Sequence, residues 1–119
     1  MEIQRQIIFH KHYFADFYLK QTEKVQMKIE FVFTVIRTVQ NVPKKFLLHL
    51  AGTDGLYEVR IEFESNIFRI FCCFDKDNLV VLFNGFQKKT QKTPNNEIEL
   101  ALKLKNEYFN LKKKNDGHK

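Results

Sequence analysis

The chain has 119 residues, 44% of them hydrophobic, a length that supports one domain with a single core and is too short for two. Thirteen Phe and four Tyr without a Trp supply bulky core material, while four Gly and two Pro exclude a collagen-like or low-complexity chain. The formal charge of +6 is unevenly placed: residues 1–85 carry 11 Lys and Arg against 10 acids, and residues 86–119 carry 9 Lys against 4, so a basic C-terminal end favours nucleic acid or an acidic partner protein.

Charge alone fits a solvated lysine-rich tail equally well. The first nine residues, MEIQRQIIF, lack the apolar core of a signal peptide, and no run approaches the roughly 20 apolar residues that cross a bilayer, so a cytoplasmic protein with no membrane partner is expected. Residues 3–9 read as a short strand, with Gln4, Arg5 and Gln6 marking an edge or a solvated face. Over residues 10–19 the spacing of Tyr13, Phe14, Phe17 and Tyr18 predicts a helix with four rings on its core side. Thr22 is placed to cap a second helix, in which Val25, Ile29, Val32, Ile36 and Val39 follow helical spacing opposite Glu23, Gln26, Glu30, Thr34 and Arg37. Phe31, Phe33 and Val35 also alternate as in a strand, but the sustained 3.6 period favours a helical hairpin.

Pro43 ends the helical region, residues 46–50 read as a strand, and Gly52-Thr53-Asp54-Gly55 is a turn. In residues 56–64 the alternation puts Tyr57, Val59, Ile61 and Phe63 on one face and Glu58, Arg60, Glu62 and Glu64 on the other. A two-residue turn at Ser65-Asn66 leads into a strand over residues 67–74 and would pair Glu62 with Arg69 and Arg60 with Phe71. A link over residues 75–78 and a strand from Leu79 would then place Cys72 opposite Val81 and Arg69 opposite Asn84. One face would show Phe68, Ile70, Cys72, Phe74, Leu79, Val81 and Phe83 to the helices; the other would gather Arg60, Glu62, Arg69 and Asn84, pointing toward Lys88. Cys72 and Cys73, adjacent in a strand, point to opposite faces and are expected to be reduced packing residues. Thr93 as N-cap and Pro94 at the first helical position predict a terminal helix over residues 94–111 with Ile98, Ala101, Leu102, Tyr108 and Phe109 on its apolar side, and residues 115–119 as a frayed tail.

No phosphate loop, zinc spacing or nucleophile elbow occurs, and His10, His12, His49 and His118 are scattered, so no metal or cofactor is implied. Arg60 and Arg69 beside Asn84, followed by Lys88, Lys89 and Lys92, could hold a phosphodiester by charge-assisted bonds, with Thr90 and Thr93 adding hydroxyls. The competing reading pairs Arg60 and Arg69 with Glu58 and Glu62 on a solvated face.

GTDGLYEVR, IFRIFCCFD and LVVLFNGFQKKTQKTPNNEIELA, in that order, resemble the phage-derived Gp49-like, HigB-type branch of the RelE/ParE toxin superfamily. The resemblance is strong over residues 50–102. It implies an α+β, RelE-like fold: an antiparallel sheet of four to five strands backed by the N-terminal helical hairpin, plus a C-terminal helix. It further implies the toxin of a type II toxin–antitoxin pair, a metal-independent endoribonuclease that cleaves mRNA on the ribosome and is silenced by a HigA-like helix-turn-helix antitoxin. Arg60, Arg69, Lys88 and Lys89 match the family's basic positions and would be catalytic, with Asn84, Thr90 and Lys92 contacting RNA. Phe68, Cys72 and Asn84 depart from the family pattern, Asn84 standing where a histidine is common. A ParE-like inhibitor of DNA gyrase, which cuts no RNA, has the same fold and is the alternative, and loss of that histidine also leaves open a protein that only binds antitoxin.

Overall fold

A computed structural model describes residues 3–76 and 78–116. Its elements in chain order are β1 (Gln6–Phe9), α1 (Tyr13–Leu19), α2 (Glu23–Thr38), β2 (Leu47–His49), β3 (Tyr57–Phe63), β4 (Asn66–Asp75), β5 (Leu79–Lys88) and α3 (Asn95–Asp116). The strands form one sheet in the order β1-β5-β4-β3-β2. This is the expected α+β arrangement, with one refinement. Four strands are antiparallel, whereas β1 runs parallel to β5, to which the chain comes only after both hairpin helices and three further strands. Among the described residues no helix is long and apolar enough to cross a membrane.

The helical hairpin forms as predicted except at its margins: Val39, expected in the α2 stripe, is the exposed, extended residue that ends the helix, and of the four α1 rings only Phe14 and Phe17 are buried, with Tyr13 packing toward the α3 side. Thr22 accepts a hydrogen bond from the Val25 N–H at 3.3 Å, and Val25, Ile29, Val32, Phe33 and Ile36 are buried. Arg5 has a role that the edge-strand reading did not give it. Its guanidinium donates to the carbonyls of Ile36, Val39 and Gln40 at 3.0, 2.8 and 2.7 Å, satisfying the open C-terminal end of α2.

Two registers differ from expectation. The β3–β4 turn is Glu64-Ser65, with Glu64 at φ +56°, rather than Ser65-Asn66, so Arg60 faces Arg69 and Glu62 faces Ile67. A slip of two preserves the faces. On β5 the slip is one: Asp75 extends β4 and pairs with Leu79, so Cys72 lies opposite Leu82. Val80 and Leu82 therefore face the hairpin, while Leu79, Val81 and Phe83 face α3. The shortened link includes Asp77, which lies outside the described residues.

Further along β5, Phe83 and Asn84 together oppose Phe71, a bulge that shifts the register so that Gly85 pairs with Ile70 and Phe86 with Arg69. Gly85 lies against α1, where a Cβ would stand 2.6 Å from Cδ2 of the Phe17 ring. Phe17 in turn meets Phe68 edge-on at 6.2 Å.

The sheet thus separates two cores rather than covering one. Cys72 belongs to the hairpin side and Cys73 to the α3 side, opposite faces as expected, and both are free thiols. Burial pushes both up, Cys73 to about 12, so neither is a thiolate. Over the second face, α3 buries Ala101 and Leu104. It begins one residue later than expected, since the Pro94 carbonyl accepts from the Glu97 and Ile98 N–H groups, and it continues through Asn115 and Asp116 instead of fraying there. The remaining tail, residues 117–119 with His118, lies outside the described residues.

Near its C-terminal end α3 is pinned to β4. Asp75, 5% exposed, accepts from the Tyr108 hydroxyl at 2.6 Å and from Lys112 Nζ at 2.8 Å. Lys112 and then Tyr108 hold the Asp75 carboxyl below its ordinary value, whereas burial and Asp75 push the Tyr108 hydroxyl up to about 12.

Two outcomes follow from this packing. Gly85→Ala drives a methyl into the Phe17 ring and should destabilise by about 1–3 kcal/mol in urea unfolding, an effect that Phe17→Leu in the same chain should partly relieve. Asp75 has a depressed folded value, so its contribution is complete above about pH 4 and is lost as pH falls through that value. The urea midpoint gap between wild type and Asp75→Asn should therefore be constant near neutrality and narrow below about pH 4. An unchanged gap in acid would exclude the clamp.

Candidate functional site

Toward the β3–β4 turn the second sheet face ends in three short rows, of which Phe71 and Phe86 still belong to the core under α3. Arg60, Arg69 and Phe86 lie abreast on β3, β4 and β5; Glu62, Ile67 and Lys88 form the row toward the turn; Glu58 and Phe71 form the row toward α3. Directly paired residues in an antiparallel ladder share a face, so two guanidinium stems project from neighbouring positions on one side.

Arg69 is 3% exposed. Its Nη1 donates to the Phe68 carbonyl at 3.1 Å, and its Nε stands 3.9 Å from Glu58 Oε2, too far for a hydrogen bond. Neither Arg69 Nε nor Arg60 Nε, both buried, finds an acceptor among the described residues. Burial first, and then the Arg60 cation, hold Arg69 below the ordinary arginine value, while Glu58 and Glu62 oppose them. Such a pair favours an anion with several oxygens, which can satisfy two donors and separate two like charges at once. The ion-pair reading is met only in part: Glu58 is buried beside Arg69, but at a distance that leaves Nε without an acceptor.

The structure brings Arg60, Arg69 and Lys88 to one face. Lys88 is half-buried, and with Ile67, Lys89, Thr90 and Gln91 it borders a hollow of about 330 Å³. Lys89, Thr90 and Lys92 are exposed in the segment that follows, where the Thr90 hydroxyl donates to the Lys92 carbonyl at 2.9 Å and tightens the turn. Asn84 is placed differently from the expected neighbour of Arg69. As part of the bulge it is 3% exposed, and its Nδ2 donates to the Glu97 carbonyl at 3.1 Å and to Glu97 Oε1 at 2.9 Å. It anchors the first turn of α3.

The described histidines lie elsewhere. His10 meets Glu107 at 2.8 Å, His12 meets Asp16 at 2.7 Å, and His49 meets the Thr53 carbonyl at 3.1 Å. Among the described residues no three His, Cys, Asp or Glu converge as metal ligands. Two residues were not singled out by sequence reasoning, Lys28 and Lys45, which line a hollow with Arg60. Nothing local connects residues 28, 45 and 60.

The model of the Gp49-like phage-derived protein family (DUF891) matches residues 16–106, which span α1 to the middle of α3 and so contain all three rows. The chain belongs to the Gp49-like family. This is the family of the HigB-like toxins, and membership fits a toxin with an antitoxin partner. No curated protein matches the chain significantly. Within this Gp49-like domain the matched span joins the sheet, the arginine pair and the anchored start of α3.

If the arginine pair is an anion site, low-millimolar pyrophosphate should raise the melting temperature of the wild type by about 4 °C, the linkage expected near 1 kcal/mol of binding. Arg60→Gln, at a half-buried position, should abolish the rise. An equal rise in both proteins, measured by thermal unfolding, would place the anion elsewhere.

Proposed function

We propose that this protein is the toxin of a type II toxin–antitoxin system and acts as a metal-independent endoribonuclease on mRNA at the ribosome, arresting translation. The observation that carries the reading is the facing of half-buried Arg60 and buried Arg69 on one side of the sheet, each with a buried Nε–H that no described residue accepts. Cleavage of this kind needs no cofactor. The RNA 2′-hydroxyl loses its proton and attacks the adjacent phosphorus, charge accumulates on the phosphoryl oxygens, and the 5′-oxygen leaves with a proton, yielding a cyclic phosphate and a 5′-hydroxyl. Cations held in place at those oxygens lower the barrier most where water is excluded.

In this mechanism Arg60 and Arg69 bind the scissile phosphate and stabilise its added charge. Lys88, on the same face, and Lys89 exchange protons or hold the backbone, and Lys92 and Thr90 contact flanking RNA. Asn84, bonded to Glu97, serves by fixing the start of α3. A HigA-like helix-turn-helix antitoxin would silence the toxin by covering the basic face or displacing α3.

Mapping mRNA 5′ ends in an in vitro translation reaction tests the proposal. Wild type should give discrete, codon-linked cuts, and Arg69→Gln and Lys88→Ala should each reduce cutting by about 100-fold or more with the fold intact by circular dichroism. Intact mRNA together with blocked DNA supercoiling would replace this reading with gyrase inhibition.

A further inference from the structure

Arg60 also reaches a second feature, away from the arginine pair. It lines a hollow of about 380 Å³ with Lys28, Lys45, Phe46, Glu62 and Glu64. On the rim, Phe31 projects from α2 and is 52% exposed, although the core stripe of that helix is complete without it. Its ring meets Phe46 edge-on at 6.0 Å, Lys28 Nζ lies 5.1 Å from the Phe31 centroid, and Lys45 Nζ lies 4.9 Å from the Phe46 centroid. An open aromatic face flanked by ammonium groups is the combination that binds single-stranded nucleic acid, with the ring stacking a base and the cations tracking the phosphates.

We propose that the surface formed by Lys28, Phe31, Lys45 and Phe46 is a nucleotide subsite for the RNA strand flanking the cleavage point, continuous with that point through Arg60. The proposal rests on the ribonuclease reading and adds where the substrate is gripped. A base stacks on Phe31, and its phosphates lie along Lys28, Lys45 and Arg60. Glu62 and Glu64 repel phosphate from the opposite wall, but they accept hydrogen bonds from exocyclic amines of bases. Adenine, cytosine and guanine offer such amines; uracil does not. The subsite therefore discriminates against uridine.

Fluorescence anisotropy of the full chain with labelled 2′-O-methyl hexanucleotides, which lack the attacking hydroxyl, separates binding from cleavage. Phe31→Ala should weaken binding of oligo-A and oligo-C about tenfold, Phe31→Tyr should retain it, and oligo-U should bind weakest to wild type. Lys28→Ala and Lys45→Ala should each lower the salt dependence of log affinity by roughly 0.7. Circular dichroism checks that every variant is folded. Wild-type affinity in Phe31→Ala overturns the subsite while leaving the ribonuclease reading standing if mRNA is still cut; wild type that neither binds nor cuts RNA overturns both. Displacement of the oligonucleotide by a polyglutamate peptide as effectively as by RNA also overturns the subsite, because charge alone would then explain the surface.

Discussion

The extra residue in β5 decides what both ends of that strand face. Before the bulge, Val80 and Leu82 lie under the hairpin while Val81 and Phe83 lie under α3; after it, Gly85 meets Phe17 and Phe86 pairs with Arg69. Without it, strict alternation would turn Phe86 and Lys88 toward the hairpin core, where Phe17 leaves no room for a side chain and a lysine would be costly to bury. The bulge thus lets one strand finish two cores and still deliver Lys88 to the arginine face. Asn84, one of the two bulged residues, also uses its amide to fix the start of α3 through Glu97. The position of the helix and the direction of Lys88 depend on the same irregularity.

That geometry leaves the arginine pair in an unfavourable setting. Like charges directly opposite one another weaken a sheet, and a guanidinium in a nearly dry site loses hydration that a single carbonyl bond does not replace. Glu58 and Glu62 offset part of this by their charge, but neither acid gives Arg69 Nε a hydrogen bond. Elsewhere the same protein pairs its charges closely: buried Asp75 has both Tyr108 and Lys112, and half-buried Glu107 has both His10 and Lys11. The contrast within one chain distinguishes Arg60 and Arg69 from charges that serve packing.

Much of this was legible in the amino-acid order, and what was not has a physical reason. The α2 stripe from Val25 to Ile36 and its Thr22 cap are local, and so is the alternation of β3, whose polar face is charged at every second residue; these match the structure, whereas Val39 falls past the end of the helix. Across the β3–β4 turn the register was wrong by two residues, yet Arg60 and Arg69 still shared a face, because an even slip preserves parity. FRIFCCF and LVVLF fail differently. With a core on each side, both faces of β4 and β5 are apolar, so alternation holds no information about register and an odd slip passes unnoticed. The bond between Asn84 and Glu97, the clamp of Arg5 on α2 and the meeting of Lys28 with Arg60 join parts of the chain that no periodic pattern relates.

The place of Asn84 also bears on how an enzyme of this kind would divide its work. A histidine there would begin from a buried position in the bulge opposite Phe71, directed at the start of α3 and not paired with Arg69, so the loss of a histidine removes less from the phosphate side than the motif suggests. What the fold supplies at the open end is fixed positive charge: Arg69 keeps its proton even with its affinity for it lowered, since a guanidinium does not deprotonate in proteins. In a site where burial has already removed water, such a charge needs no reorganisation when a phosphoryl group gains a negative charge, and its effect is greater than that of a solvated lysine. Under the ribonuclease reading, stabilisation of the charged intermediate is therefore built into the sheet, and proton transfer falls to the more mobile lysines at its end. Acceleration would then depend more on the rigidity of β3 and β4 than on any one acid or base.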